Sequence, residues 1–200
     1  MKYFLSNALF PFVYVVLTAF TATAILCIQG LIVLKIALCI LNLALYSVVT
    51  LFIAFKTGQD AFKAQITNDI ERRLIVETGE NRPLKIHQEY KCWKGFLIGA
   101  MSCLPLILIL IVHSIVVLST GGAVIAIGAI ANFLYMTSYS FVAIFIKNAT
   151  AYTCFYNLLF LVYITLSYGI TYILGAKKAQ LQQKIIKSSH QAIYGDEKWE

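Results

Sequence analysis

Residues 1–55 and 96–175 contain no Asp or Glu, and Lys2, Lys35 and Lys147 are their only Lys or Arg. All nine acidic residues and the other basic residues are confined to two islands, 56–95 and 176–200. A chain partitioned this way has no surface for a water-soluble core. The composition agrees: 60% hydrophobic and 12% charged, against about 45–50% and about 25% for soluble domains. The chain is therefore expected to be integral to a membrane.

A spanning helix needs about 20 apolar residues. Five segments reach that length, roughly 4–28, 31–55, 96–118, 123–146 and 152–175. "QG" at 29–30, "STGG" at 119–122 and "KNAT" at 147–150 separate them. None shows a sustained period of two, which favours helices over a barrel. The expected fold is all-α, a polytopic helical membrane protein. Its parts are an N-terminal transmembrane hairpin (1–55), an amphipathic loop (56–95), a second transmembrane region (96–175) and a basic tail (176–200). The start has one Lys before an apolar run too long for a typical signal core, so it reads as a first span that stays.

Charge sets the number of crossings. Lys and Arg near span ends stay on the cytoplasmic side, and the two islands hold eight and five of them. Three apolar segments lie between the islands, so both share a side only if one segment fails to cross. Five crossings with the N-terminus inside put ten Lys and Arg inside and six outside. Four crossings, with 123–146 dipping in and returning, put fourteen inside and leave only Lys35 and Lys147 outside. The cluster "NFLYMTSYS" in the middle of that segment supplies polar groups that an interrupted helix needs. The expected topology is four crossings and one re-entrant or interfacial segment within 119–151, with five crossings as the alternative. Both termini are then cytoplasmic, with the plasma membrane the expected location.

In the first island, Thr57 and Asp60 have capping-box spacing and predict a new helix start. Phe62, Ile66, Ile70 and Leu74 recur every four residues and share one face. Asp69 and Arg73 are spaced to pair, Gly79 suits a helix C-cap, and Pro83 forces a turn. A 40-residue island buries little of its own apolar stripe, so that face is the candidate docking surface. Trp93, Lys91 and Lys94 before the third span, and Lys177, Lys178, Lys184 and Lys187 in the tail, are candidates for lipid headgroups. The tail reads either as a helix lying on the bilayer or as a solvated continuation of the last span.

Within the spans, His113 is the one ionisable candidate for function besides Lys35, which sits close enough to a span end to snorkel outward. Asn132, Tyr135, Thr137, Ser138 and Tyr139 are candidate pore or polar residues; contact between helices is the commoner use of such groups. The five cysteines include no CxxC pair, and they read as packing residues. No HExxH, GxSxG or P-loop occurs, and no cofactor or metal site is expected. The net charge of +7 belongs to residues flanking apolar helices, which points to anionic lipid and away from nucleic acid. Two function classes follow: a non-enzymatic accessory or scaffold subunit docking a membrane-protein partner or a second copy, and a small channel or transporter.

Overall fold

The computed structural model describes residues 2–28, 30–79, 83–120, 125–145 and 150–194; the side chains at a number of positions from 117 to 156, Tyr139 among them, lie outside that set. The described residues form helices α1 (Lys2–Cys27), α2 (Ile32–Thr78), α3 (Cys92–Thr120), α4 (Ile125–Leu134), α5 (Met136–Phe145) and α6 (Thr150–Tyr194), with one 3₁₀ turn at Ile86–Gln88. No strand occurs among them. Helices α1, α2, α3 and α6 are long and apolar enough to cross a membrane. The protein is an all-α polytopic membrane fold.

Lipid offers no hydrophobic drive between apolar helices, so close packing and hydrogen bonds must hold the bundle together. The closest approach is between α2 and α6. A Cβ on Gly58 would collide with the Tyr172 carbonyl, and one on Gly175 would collide with the Phe55 carbonyl. The two contacts are reciprocal, and each helix uses an aromatic residue followed three positions later by glycine. Helix α3 meets α6 in the same way. Gly95 faces the Tyr172 side chain, Gly99 faces Thr165 and Tyr168, and Gly169 of α6 faces the Phe96 ring. Val15, Tyr46, Cys103, Leu106, Tyr135, Phe160, Leu161 and Ile164 fill the middle. Leu9, Phe10, Leu17, Phe20, Leu45, Phe52, Leu108 and Leu166 are exposed, as the hydrocarbon side of such a bundle requires.

The contacts fix the direction of each helix. Along α2 and α6, Tyr46 meets Phe160, Tyr163 bonds Ser47, and Gly58 lies on Tyr172, so these helices are parallel. Along α3 and α6, Gly95 meets Tyr172, Gly99 meets Tyr168, and Cys103 lies 3.8 Å from the Leu161 carbonyl, so these are antiparallel. Helix α1 precedes α2 in a hairpin and stacks Phe4 on Trp93 at the start of α3. The four long helices thus alternate up, down, up, down. The end of α3 and the start of α6 share a side, and the segment between them returns to the side it leaves.

That segment is a helix broken at Tyr135. Ser138 Oγ and the Ser138 amide both bond the Tyr135 carbonyl, at 3.0 Å each, and a hydroxyl competing for backbone in this way disfavours a regular helix. Tyr135 is fully buried, and its hydroxyl donates to the Leu106 carbonyl at 2.9 Å. Leu106 lies roughly 16 Å along α3 from Gly95, so the break sits near mid-depth. Irregular backbone at that depth is tolerated only inside protein.

Two expectations need correction. No helix starts at Thr57. Helix α2 runs unbroken for 47 residues, about 70 Å. Thr57 bonds back to the Ile53 carbonyl at 2.8 Å, and Gly58 is committed to α6. Asp69 pairs with Arg72 at 2.9 Å, not with Arg73. Gly79 does end the helix, at φ 71°, with its amide on the Ile75 carbonyl. The tail continues the last span: α6 is one 45-residue helix.

Two outcomes are expected. Gly58→Ala or Gly175→Ala forces two backbones apart and destabilises the protein by about 3 kcal/mol, the upper range for overpacking, in denaturant titration of the detergent-solubilised protein. Leu45→Ala on the lipid face changes it by less than about 0.5 kcal/mol. In a cysteine-free background, cysteines at Thr120 and Thr150 react with an impermeant maleimide from the same side of the membrane, and one at Gly79 reacts from the other.

Candidate functional site

Three features of the bundle carry polar chemistry. The first is a node at mid-depth between α1, α2 and α5. Thr18 Oγ1 and Thr137 Oγ1 lie 2.9 Å apart. Asn42 Nδ2 donates to the Thr18 carbonyl at 3.0 Å, and Thr21 Oγ1 donates to Asn42 Oδ1 at 2.6 Å. In hydrocarbon an unpaired amide costs several kcal/mol, so Asn42 holds the N-terminal hairpin closed while Thr18 ties the re-entrant segment to α1.

The second is a clasp outside the span, on the loop side. Asn68 Nδ2 donates to Glu89 Oε1 at 3.0 Å, and its Oδ1 accepts from the Lys85 amide at 3.1 Å. Arg72 also bonds Glu89 Oε1. One asparagine therefore reads both ends of the 85–89 turn and fastens it to α2. Lys94 completes the turn from below, donating to the His87 carbonyl at 3.0 Å and the Glu89 carbonyl at 2.6 Å. Phe62 meets Tyr90 edge-on, with ring centroids 6.4 Å apart, and Tyr90 stacks on Tyr172. Burial raises the Tyr90 phenol above its ordinary value of 10.0, and Cys92 adds to the shift.

The third is the pair of extensions beyond the span. From Gly58, α2 runs about 30 Å to its end, and from Gly175, α6 runs about 28 Å. The turn at 83–90 covers part of α2. On α6, Leu181, Ile185 and Ile186 are 59%, 63% and 68% exposed, among the exposed Lys177, Lys178, Lys184 and Lys187.

The sequence candidates fall differently from their grouping. Of the docking stripe, Phe62, Ile66 and Leu74 are half-buried, and only Ile70 is largely exposed, at 55%. The half-buried three are partly used inside the protein, so the stripe is not a free surface. Of the polar set, Tyr135, Thr137 and Ser138 are buried and bonded as described, and His113 is buried on α3. Asn132 is exposed and does not join them. Tyr139 lies outside the described side chains. Trp93 and Lys91 are exposed at the membrane boundary, as headgroup contacts require. Lys94 is not: it is 3% exposed and spent on two carbonyls, because the 3₁₀ turn offers it partners that lipid would otherwise supply. Lys35 reaches the other boundary and caps α1 through the Leu26 carbonyl at 3.3 Å, where a cation suits the helix C-terminus. Cys39 and Cys103 are packed as expected, whereas Cys27 and Cys92 are exposed.

Sequence reasoning missed Asn68 and Glu89. No spacing rule links Asn68 to Glu89. A signal did exist for the α3 seam: Gly95 and Gly99 form a small-xxx-small pair.

Asn68→Ala removes both of its bonds to the turn and leaves the Glu89 carboxylate with Arg72 alone. The expected loss is about 1–3 kcal/mol of local stability, read as faster amide exchange across 84–90 with the spans unchanged. Equal exchange in the variant would show that the clasp does not hold the turn.

Compared with known protein families, with curated proteins and with solved structures, the chain matches none.

Proposed function

We propose that this protein is a non-enzymatic accessory or scaffold subunit. Its four spans anchor it, and its α6 extension docks a partner in the aqueous phase. The observation that carries this reading is the uncovered α6 extension. Leu181 and Ile185 lie one helical turn apart and are mostly exposed. Four lysines surround them, with no acid within 176–194. Exposed apolar groups rimmed by charge mark an interaction site. The partner of matching chemistry is an acidic amphipathic helix. The docking surface is thus assigned to α6 in place of the α2 stripe. The mid-depth polar groups fit this reading too, because Thr18, Thr137 and Asn42 are spent on holding helices together. The bias of Lys and Arg supports placing the loop side in the cytoplasm, and the plasma membrane is the location proposed with it. Lys91, Lys177 and Lys178 would there meet anionic headgroups.

A second reading, a small channel or transporter, draws on one observation: a broken helix near mid-depth is a feature of many carriers.

The double variant Leu181→Glu/Ile185→Glu is expected to lose a stoichiometric co-purifying partner while keeping its unfolding midpoint. Solute flux from pure protein in liposomes, reduced by His113→Ala, would instead select the carrier reading. Retention of the partner by the double variant would remove α6 as the docking surface.

A further inference from the structure

A half-open cleft of about 210 Å³ lies in the bundle wall, with Leu43, Ser138, Leu159, Phe160 and Tyr163 among its walls. It sits between α2, α5 and α6 inside the spanning region, so its surroundings are hydrocarbon. Its described lining is mostly apolar, with two hydroxyls. Each hydroxyl has a single hydrogen to donate and two lone pairs to accept. Ser138 donates its hydrogen to the Tyr135 carbonyl at 3.0 Å. Tyr163 donates its hydrogen to Ser47 Oγ at 2.9 Å, and Ser47 in turn donates to the Leu43 carbonyl at 2.8 Å. Both donors are therefore spent inside the protein. Among the described lining residues, what the cleft offers an occupant is oxygen lone pairs set in apolar walls.

We infer that this cleft binds a linear lipophilic alcohol, its hydroxyl hydrogen donated to Ser138 or Tyr163 and its chain running out into the bilayer. An ester, ketone or ether has no hydrogen to give and meets acceptors alone. A lone hydroxyl in hydrocarbon is poorly satisfied, so an alcohol that reaches this depth gains a partner in the cleft. The volume is below the roughly 300–1,000 Å³ of sites that enclose a compact ligand. It suits the polar end and first carbons of a chain, and not a rigid fused-ring body.

The test uses the full-length protein in lipid nanodiscs with a hexadecanol bearing a chain diazirine, and its methyl ether as the matched probe. After photolysis, labelled peptides are mapped. The alcohol is expected to label α2 and α6 peptides about fivefold more than the ether, the factor of one net hydrogen bond. Leu43→Trp fills the cleft and abolishes that excess. Ser138→Ala with Tyr163→Phe keeps the walls and reduces the alcohol to the level of the ether. The unfolding midpoint of each variant is measured alongside; should Leu43→Trp not fold, the Ser138→Ala/Tyr163→Phe pair decides. Equal labelling by alcohol and ether would overturn the inference and leave a groove filled by any acyl chain. So would an excess that survives the hydroxyl deletions, or labelling by a photoreactive sterol in place of the linear probe.

Discussion

Everything in this bundle is referred to the crossing of α2 and α6, where Gly58 and Gly175 let each helix touch the other's carbonyl. Such contact needs two missing side chains, and it works only at one register. With α2 and α6 locked parallel, α3 packs antiparallel on α6 against Tyr168 and Tyr172. The side on which α3 ends is then decided, and so is the return of the segment between α3 and α6. A topology that charge counting favours is thus imposed by van der Waals contact as well. The two causes are independent: one acts during insertion, the other after it.

Polar groups inside the span are used as fasteners. Asn42 and Thr18 join the hairpin, Thr137 brings in α5, and Tyr135 reaches α3. The same economy governs the loop side, where Asn68 fastens a short turn to α2 and Lys94 fastens it to α3. A 40-residue island too small to be a domain becomes ordered by leaning on a helix that the membrane already holds upright.

The apolar runs, their lengths and the Gly79 stop were legible because each depends on neighbouring residues alone. The non-crossing segment was legible through charge, a sum over the whole chain. What failed were local signals overruled by distant ones. Thr57 and Asp60 have the spacing of a helix start, but Gly58 is held against Tyr172, more than a hundred residues away, and the helix does not break. Lys94 has the look of a headgroup lysine, yet carbonyls seven and five residues earlier claim it. Phe62 reads as a docking residue, and Tyr90 covers it. Asn132 reads as part of a polar cluster, but it is Ala131 on α4 and Tyr135, four residues apart, that face inward, and Asn132 beside them is exposed. In the first three cases the deciding partner lies outside the window from which the residue was judged.

The absence of a joint in α2 has a mechanical meaning. Its span and its aqueous extension form one continuous rod, so a tilt about its contact with α6 at Gly58 would move both arms together. A tilt of about 10° at the pivot carries the far end some 30 Å away through about 5 Å. Asn42, on the other arm of the same rod, is bonded to Thr18 and Thr21, and Tyr46 and Ser47 beside it meet Phe160 and Tyr163 of α6. A force applied in water at one end of the rod would meet, without any hinge to absorb it, these contacts in the middle of the membrane.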